Sequence, residues 1–134
     1  MIRFEIPGEQ VPMPRPIVTR DGRGHIPSKV HKYEQLVATQ YKAAGGTVHG
    51  GPVAVTIAFW FQMAKSWPKY KKRDRKGMPK TDKPDLDNVV KTILDGLNKV
   101  AYEDDAQVYK IHAVKHWYDG EPLTIVQVEG AEEE

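Results

Sequence analysis

The stretch that decides the fold is residues 83–100, with the sequence KPDLDNVVKTILDGLNKV. Seven apolar residues recur in it at the 3.6-residue spacing of an α-helix, namely Leu86, Val89, Val90, Ile93, Leu94, Leu97 and Val100. The polar residues Asp87, Lys91 and Asp95 follow one another at four-residue intervals on the opposite face. We therefore predict an amphipathic helix over residues 87–100, with its apolar face packed on the core.

The residues before this helix predict two strands and a second helix. Alternating apolar and polar residues predict a strand over residues 2–6. Ser28 is a good N-cap for a helix over residues 28–44, which Gly45-Gly46 would end. Branched and aromatic residues on both faces predict a central strand over residues 53–63.

The residues after the helix complete the predicted fold. Residues 107–118 and 123–129 read as two strands, joined by a hairpin turn at Asp119-Gly120. The order strand, helix, strand, helix, strand, strand predicts an α+β fold. Its centre would be a small mixed β-sheet of about four strands, with two helices packed against it.

Length and composition favour one domain of a cytoplasmic protein. The 134 residues, 40% of them hydrophobic, suffice for one compact domain over residues 1–134. The chain has no cysteine, which excludes disulfides, thiolate catalysis and cysteine-based zinc sites. We see no signal peptide and no apolar run of the ~20 residues that a membrane helix needs. The acidic tail, residues 130–134, is expected to be frayed.

Basic charge is concentrated in residues 65–83, which we call the basic segment. It contains nine Lys or Arg residues against Asp74 and Asp82, a local balance of +7 in a chain whose net charge is +2. Taken alone, such a run favours a solvated, flexible loop. Because it directly precedes a group of carboxylates, we interpret it instead as a loop that binds the phosphates of DNA.

The candidate site consists of four aspartates and a lysine. Asp85 follows Pro84 in an extended stretch, so it can point to the same side as Asp87 and share an ion with it. Asp104 and Asp105 follow the helix, and the chain must return them to Asp85 for all four to meet. Magnesium prefers a few carboxylates together with waters and phosphate oxygens. Lys91 could then stabilise the negative charge of a phosphoryl transition state.

Ordinary structural roles explain the same residues equally well. Asp87 could be the N-cap of the helix, where the helix dipole favours an acid. Lys91 could pair with Asp87 and Asp95 on a solvent-exposed face. Asp104 and Asp105 could form a plain turn before a strand. The residue pattern by itself leaves both interpretations open.

The whole arrangement of motifs resembles the RusA family of Holliday-junction resolvases. The resemblance is carried by Lys83-Pro84-Asp85-Leu86-Asp87-Asn88, then Lys91, then Asp104-Asp105-Ala106-Gln107. The N-terminal half is also similar, with a Phe-x-Ile-Pro-Gly strand, an arginine-proline loop and a Pro-Ser-Lys helix start. The resemblance therefore covers nearly the whole chain.

The resemblance implies a small, homodimeric, magnesium-dependent and structure-selective endonuclease of DNA recombination and repair. Such enzymes, often encoded by phages and prophages, cut four-way DNA junctions symmetrically, and Mn²⁺ is expected to replace Mg²⁺. It implies Asp85, Asp87, Lys91 and Asp105 as catalytic residues. The three aspartates, with Asp104 as an adjunct, would be the metal ligands. Neither an organic cofactor nor a membrane partner is expected.

The predicted contacts with branched DNA are basic and aromatic side chains. They are Arg15, Lys65, Lys69, Lys71, Lys72, Arg73, Arg75, Lys76, Lys80, Lys83, Trp67 and Tyr70. The two aromatic residues could stack on unpaired bases or pack beneath the segment. Two other functions remain open: a nuclease that prefers flaps, forks or D-loops, and a junction-binding module without chemistry.

Overall fold

Six strands form two β-sheets in the structure, a computed structural model that describes residues 1–14, 17–18 and 24–131. The strands are β1 (Ile2–Pro7), β2 (Ile17–Val18), β3 (Gly24–His25), β4 (Val53–Gln62), β5 (Val108–Tyr118) and β6 (Leu123–Gly130). The main sheet has the order β1-β6-β4-β5, and β2 pairs with β3 separately. Within the main sheet β4 and β5 run parallel and the other pairs antiparallel, so the sheet is mixed. The predicted α+β fold with a four-stranded mixed sheet is confirmed.

Three α-helices and one 3₁₀ turn accompany the sheet in the described residues. They are α1 (Ser28–Ala43), α2 (Lys69–Arg75), α3 (Leu86–Leu97) and the 3₁₀ turn Asp105–Gln107. The buried residues of α1 and α3 join those of β1, β4 and β6 in one hydrophobic cluster, whereas α2 buries no residue. In the part of the chain that the structure describes, no helix has both the length and the apolar character needed to cross a membrane.

The core lies between β4 and the two packed helices. Alternate β4 residues, Val55, Ile57 and Phe59, are buried, as the two-residue period of a strand requires. The intervening Ala58 and Trp60 are half-buried. The strand is central, as predicted, and its buried side faces α1 and α3.

The contact between α1 and α3 is close because Gly96 lies in it. A Cβ added to Gly96 would lie 2.8 Å from the Cβ of Val37 and 3.1 Å from the carbonyl oxygen of Glu34. Any larger residue would push the helices apart, so the absence of a side chain sets their distance. This contact matters for the site because both helices contribute charged residues to it.

Three predicted helix boundaries are corrected by the structure. The N-cap of α1 is Pro27, not Ser28, and no side chain caps this end. The helix α3 begins one residue earlier and ends three residues earlier than predicted. The chain then turns through Lys99, whose φ of 73° lies in the left-handed region and cannot continue a helix.

The acidic tail begins later than the sequence predicted. Gly130 is the last residue of β6 and is buried, and the backbone N–H of Ala131 donates a 2.9 Å hydrogen bond to the carbonyl of Pro52. These two residues are therefore held by the sheet. The rest of the predicted frayed tail, residues 132–134, lies outside the described residues.

The predicted β5–β6 hairpin at Asp119-Gly120 is wrong. Tyr118 lies beside Gln62 of β4, and Leu123 lies beside Trp60 of the same strand. The strand β4 therefore sits between β5 and β6, and the turn passes over its end. A turn dipeptide predicts a local reversal of the chain. Whether the two strands that it joins pair with each other or with a third strand depends on the whole sheet.

Candidate functional site

Asp85 is the N-cap of α3, and its carboxylate is not used for capping. Its backbone is extended, with φ −67° and ψ 143°, and its side chain makes no hydrogen bond to the first turn. Asp87 lies in that first turn, where the helix dipole favours a negative charge. The alternative in which Asp87 caps the helix is therefore wrong. Both carboxylates lie at the start of α3, where the chain leaves the basic segment.

Lys115 of β5 holds the residues before Asp85 in place. Its Nζ donates hydrogen bonds to the carbonyl oxygens of Asp82 and Pro84, each at 2.6 Å. Burial lowers the pKa of Lys115 and the nearby Lys80 charge lowers it further, while Asp82 and Asp85 oppose the shift. The entry to α3 is thus tied to the edge strand of the sheet.

Lys80 supports the same turn from inside the protein. Its side chain is only 7% exposed, and Nζ donates hydrogen bonds to the carboxylate of Asp82 and, at 2.6 Å, to the carbonyl of Lys83. Nζ also lies 4.3 Å from the ring centroid of Trp117 and 5.3 Å from that of Phe61. Unlike the other basic residues of the segment, Lys80 is buried and already paired. Its contact with DNA stays a prediction, and in this position it orders the turn.

Lys91 lies among acidic side chains. Its Nζ donates a hydrogen bond of 3.0 Å to Oδ1 of Asp95. That bond raises the pKa of Lys91, burial opposes the shift, and the charges of Asp95, Asp105 and Glu34 raise it further. The predicted pairing of Lys91 with Asp95 is confirmed. The tertiary fold also brings Asp105 into electrostatic reach of Lys91.

Glu34 and Asp95 form an acidic pair across the α1–α3 contact. Burial raises the pKa of Glu34, and the charge of Asp95 raises it further. His31, 3.4 Å away, and Lys91 act in the opposite direction. Sequence reasoning left Glu34 out of the site, because no local pattern links a residue of α1 to the polar face of α3.

A hydrogen-bonded turn presents Asp105. The side chain of Asp104 accepts the backbone N–H of Ala106 at 3.0 Å, and Oε1 of Gln107 accepts those of Glu103 at 2.9 Å and Asp104 at 3.1 Å. This is a capping box. The hydrogen bond from Ala106 lowers the pKa of Asp104, and a hydrogen bond with Asp105 lowers it further. Asp104 therefore shapes the turn that carries Asp105.

Gln107 fixes this turn to the rest of the protein. Its Nε2 donates to the carbonyl oxygens of His49 at 3.0 Å and Gly51 at 2.9 Å, in the segment before β4. One glutamine thus caps the turn with its oxygen and anchors it with its nitrogen. Sequence reasoning noted Gln107 only as part of a motif, although the Asp-x-x-Gln spacing is itself a capping-box signal.

Tyr102 lies buried close to both Asp105 and α3. It is fully buried, and its hydroxyl donates a 2.6 Å hydrogen bond to the carbonyl of Leu94. Burial raises its pKa, and the charges of Asp105 and Asp95 raise it further. The tyrosine therefore stays neutral, and its position places the 104–107 turn beside the polar face of α3.

The aspartates do not form a complete metal cage by themselves. Across residues 1–14, 17–18 and 24–131, no three His, Asp or Glu side chains lie close enough together to hold an ion. Magnesium is usually held by one or two carboxylates, with waters and substrate phosphates completing its shell. The donor set, with Asp85 unused by its helix, fits an ion that DNA phosphate completes.

Comparisons of the sequence with known proteins identify the family of this chain. The sequence model of the family described as Endodeoxyribonuclease RusA matches residues 7–129. The chain belongs to the RusA family. It is therefore an endodeoxyribonuclease, which confirms the family and enzyme class expected from the motifs. Among curated proteins, the "Uncharacterized protein YqaN" of Bacillus subtilis (strain 168) is 35% identical over 137 aligned residues, which cover 95% of this chain and 94% of that protein.

In this RusA-family nuclease the basic segment contains a helix, α2, that the sequence did not predict. Pro68 precedes it, and Lys and Arg, which make up most of it, are good helix formers. No residue of α2 is buried, and its basic residues Lys69, Arg73 and Arg75 are exposed. The other two, Lys71 and Lys72, are half-buried. Beyond α2, Lys65, Lys76 and Lys83 are exposed as well, and Arg15 lies outside the described residues.

The two aromatic residues of the basic segment differ. Trp67 is half-buried and packs edge-on against Trp117, with ring centroids 4.9 Å apart. Nζ of Lys71 lies 4.1 Å from the Trp67 ring centroid on the outside. Tyr70 is 63% exposed. Packing therefore accounts for the partial burial of the Trp67 side chain, whereas Tyr70 points into solvent beside the basic residues.

Proposed function

We propose that this RusA-family endonuclease cleaves branched DNA, four-way junctions above all, by magnesium-dependent hydrolysis of phosphodiester bonds. The observation that carries the proposal is the placement of Lys91. Lys91 lies on α3, which has Asp85 as its N-cap and Asp87 in its first turn. The charge of Asp105, in the 3₁₀ turn, raises the pKa of Lys91. Two elements, α3 with its N-cap and the 3₁₀ turn, thus supply the proposed catalytic residues.

In the proposed mechanism Asp85, Asp87 and Asp105 would hold Mg²⁺ or Mn²⁺ together with DNA phosphate, with Asp104 shaping the turn and serving as an adjunct ligand. Because no three such side chains of the described residues lie close enough together to hold an ion by themselves, the phosphate would complete the site. When bound, the ion would supply polarisation of the phosphate and activation of water. The ammonium of Lys91 faces the charge that develops on the phosphoryl oxygens. Because Asp95 and Asp105 raise the pKa of Lys91, it stays protonated and acts as a fixed cation rather than as a base.

The exposed charges of α2 and its neighbours supply the attraction for DNA. Phosphate contacts release counterions, so binding should weaken steeply with salt. Two acidic side chains offset this charge in part: Asp119 pairs with Lys76 at 3.0 Å, and Asp74 pairs with Arg73 at 3.5 Å. Both pairs are exposed, so phosphates can displace them at little cost.

A homodimer accounts for paired, symmetric cuts. A four-way junction is nearly two-fold symmetric, and a C2 dimer would place two copies of the site against opposing strands. Resolution of such junctions would serve DNA recombination and repair. The two sites of a dimer would lie a fixed distance apart, so they could act together on two opposing strands of a junction. A flap has one cleavable arm and could occupy only one site, so the junction would be preferred.

The test uses one end-labelled strand set, assembled as a four-way junction, a flap, a fork and a linear duplex. Each is incubated with Mg²⁺, Mn²⁺ or no metal, and with wild type or Asp85→Asn. We expect paired symmetric nicks in the junction, dependent on metal and absent with the variant. Faster cleavage of the flap or fork would assign a different branched substrate. Tight junction binding without nicks in either metal would overturn the proposed cleavage.

A further inference from the structure

A cavity of about 550 Å³ opens between the basic segment and the ends of β4 and β5. Its volume lies in the range of pockets that bind small organic groups. Aromatic rings, ammonium groups, two carboxamides and two carboxylates line it. The residues that matter here are Phe61, Trp67, Lys80, Lys83 and Trp117.

This cavity continues toward the proposed cleavage site. Pro12, Lys83 and Pro84 line it, and they also line a second cavity of about 410 Å³ that reaches Asp85 and Asn88. Pro84 is bonded directly to Asp85. A nucleotide whose phosphate lies at Asp85 would therefore have its base beside the larger cavity.

The chemistry of the walls suits a nucleobase. Bases stack on aromatic side chains whatever their identity, and nearby lysines attract the phosphates on either side. Trp67 makes a T-shaped contact with Trp117, and Nζ of Lys71 lies over the Trp67 ring. Trp67 also lines the cavity. Lys80 is already paired with Asp82, so the exposed ammonium group of Lys83 remains available to a phosphate.

We propose that this cavity holds an unpaired nucleobase next to the scissile phosphate. The proposal rests on the proposed junction cleavage and deepens it. Trp67 supplies the stacking surface and Lys83 accompanies the adjoining phosphate. The cavity thus gives the enzyme a means of selecting where along a branched DNA it cuts.

The first test changes the DNA and leaves the protein intact. Four-way junctions receive a single abasic site at each position around the cut, and cleavage by wild type is compared with the unmodified junction. We expect one position next to the cut at which loss of the base slows cleavage by roughly tenfold or more. The absence of any sensitive position would overturn the pocket.

Variants of the protein then locate the effect. Trp67→Ala should lose the discrimination between intact and abasic junctions, and Trp67→Phe should keep it. The matched control is Tyr70→Ala, which removes an exposed aromatic residue that does not line the cavity. Loss of discrimination with Tyr70→Ala but not with Trp67→Ala would place base recognition on α2 and overturn the pocket.

A second readout separates this proposal from the proposed cleavage. The fluorescence of 2-aminopurine at each position near the junction centre is measured in complexes with Asp85→Asn, which need not cleave. A change at one position that Trp67→Ala, in the same background, abolishes supports the pocket even if wild type makes no nicks. If wild type cuts junctions but the fluorescence changes at no position, the cleavage stands and the pocket is refuted.

Discussion

The charged residues around α3 and those on α2 differ in how they are held. Lys91, Asp95 and Asp105 are ordered by a hydrogen bond, by the α1–α3 contact and by a capped turn. The side chains of α2 are exposed or half-buried, and the ion pair of Arg73 with Asp74 lies at the surface. Stabilising a transition state requires charges fixed before the reaction, whereas attraction of a polyanion requires only net charge nearby. Substitutions around α3 should therefore change the rate of cleavage, and substitutions on α2 should change binding.

The largest effect is expected from Asp85→Asn. Cleavage should fall by roughly a thousandfold or more, on the order of what several kcal/mol of metal-assisted catalysis contributes, while junction binding is retained. Single-turnover cleavage and electrophoretic binding assays measure the two. The control is Asp74→Asn, which removes an exposed carboxylate of the basic segment. Full activity of Asp85→Asn would refute its role as a metal ligand.

Lys91→Ala should reduce the cleavage rate by about 10²–10³-fold, the usual effect of removing one electrostatic donor to a transition state. Affinity for the junction should change little, because one charge among many contributes little to binding. Lys110→Ala, an exposed lysine on the edge strand β5, is the matched control. Equal losses in rate and affinity would mean that Lys91 belongs with the binding residues, and the comparison would fail.

Gln107→Ala should slow cleavage by about 10–100-fold, as the loss of residues that orient metal ligands commonly does. Gln107→Glu separates the two roles of the side chain, because a carboxylate can still accept the backbone N–H groups of the turn but cannot donate to His49 and Gly51. If the hydrogen bonds to His49 and Gly51 are needed to position Asp105, both variants should cleave slowly and bind the junction normally. Wild-type rates in both would show that the position of Asp105 does not depend on Gln107.

Asp95→Asn should shift the alkaline limb of the pH–rate profile to lower pH. The hydrogen bond to Asp95 raises the pKa of Lys91, so its loss lets Lys91 deprotonate at a lower pH. Cleavage well below that limb should change little. In a Lys91→Arg background the same substitution should leave the profile unmoved, because arginine stays protonated. A shift that persists in the Lys91→Arg background would assign the limb to another group.

The smallest effect on the chemical step is expected from neutralising Lys71, Lys72 and Arg73 together. Cleavage at saturating DNA should stay close to wild type, while binding weakens and the slope of log K against log salt falls by up to about three. A control variant neutralises Arg3, Lys32 and Lys42, three exposed basic residues outside the basic segment. An unchanged salt slope would show that α2 does not contact phosphates.

The sequence predicted the features that depend on a local pattern. The period of apolar residues located α3 because a helix of 3.6 residues per turn must bury one face, and Asp-x-x-Gln at 104–107 specifies a capping box through neighbouring atoms. The motif residues likewise indicated the family, which the match over residues 7–129 confirmed. These features depend on residues a few positions apart.

The tertiary structure decided what depends on residues far apart in the chain. The chain reverses near Asp119-Gly120, but β4 pairs with both strands on either side, so β5 and β6 are not neighbours. Lys80 is one lysine among nine basic residues in its segment, yet packing against Trp117 removes it from the surface. Asp105 lies within electrostatic reach of Lys91, and Gln107 ties the turn of Asp105 to the segment before β4. Local patterns predicted most of the elements and indicated the candidate catalytic side chains, whereas long-range packing determined which of those charges are fixed and which face solvent, because it depends on residues far apart in the chain.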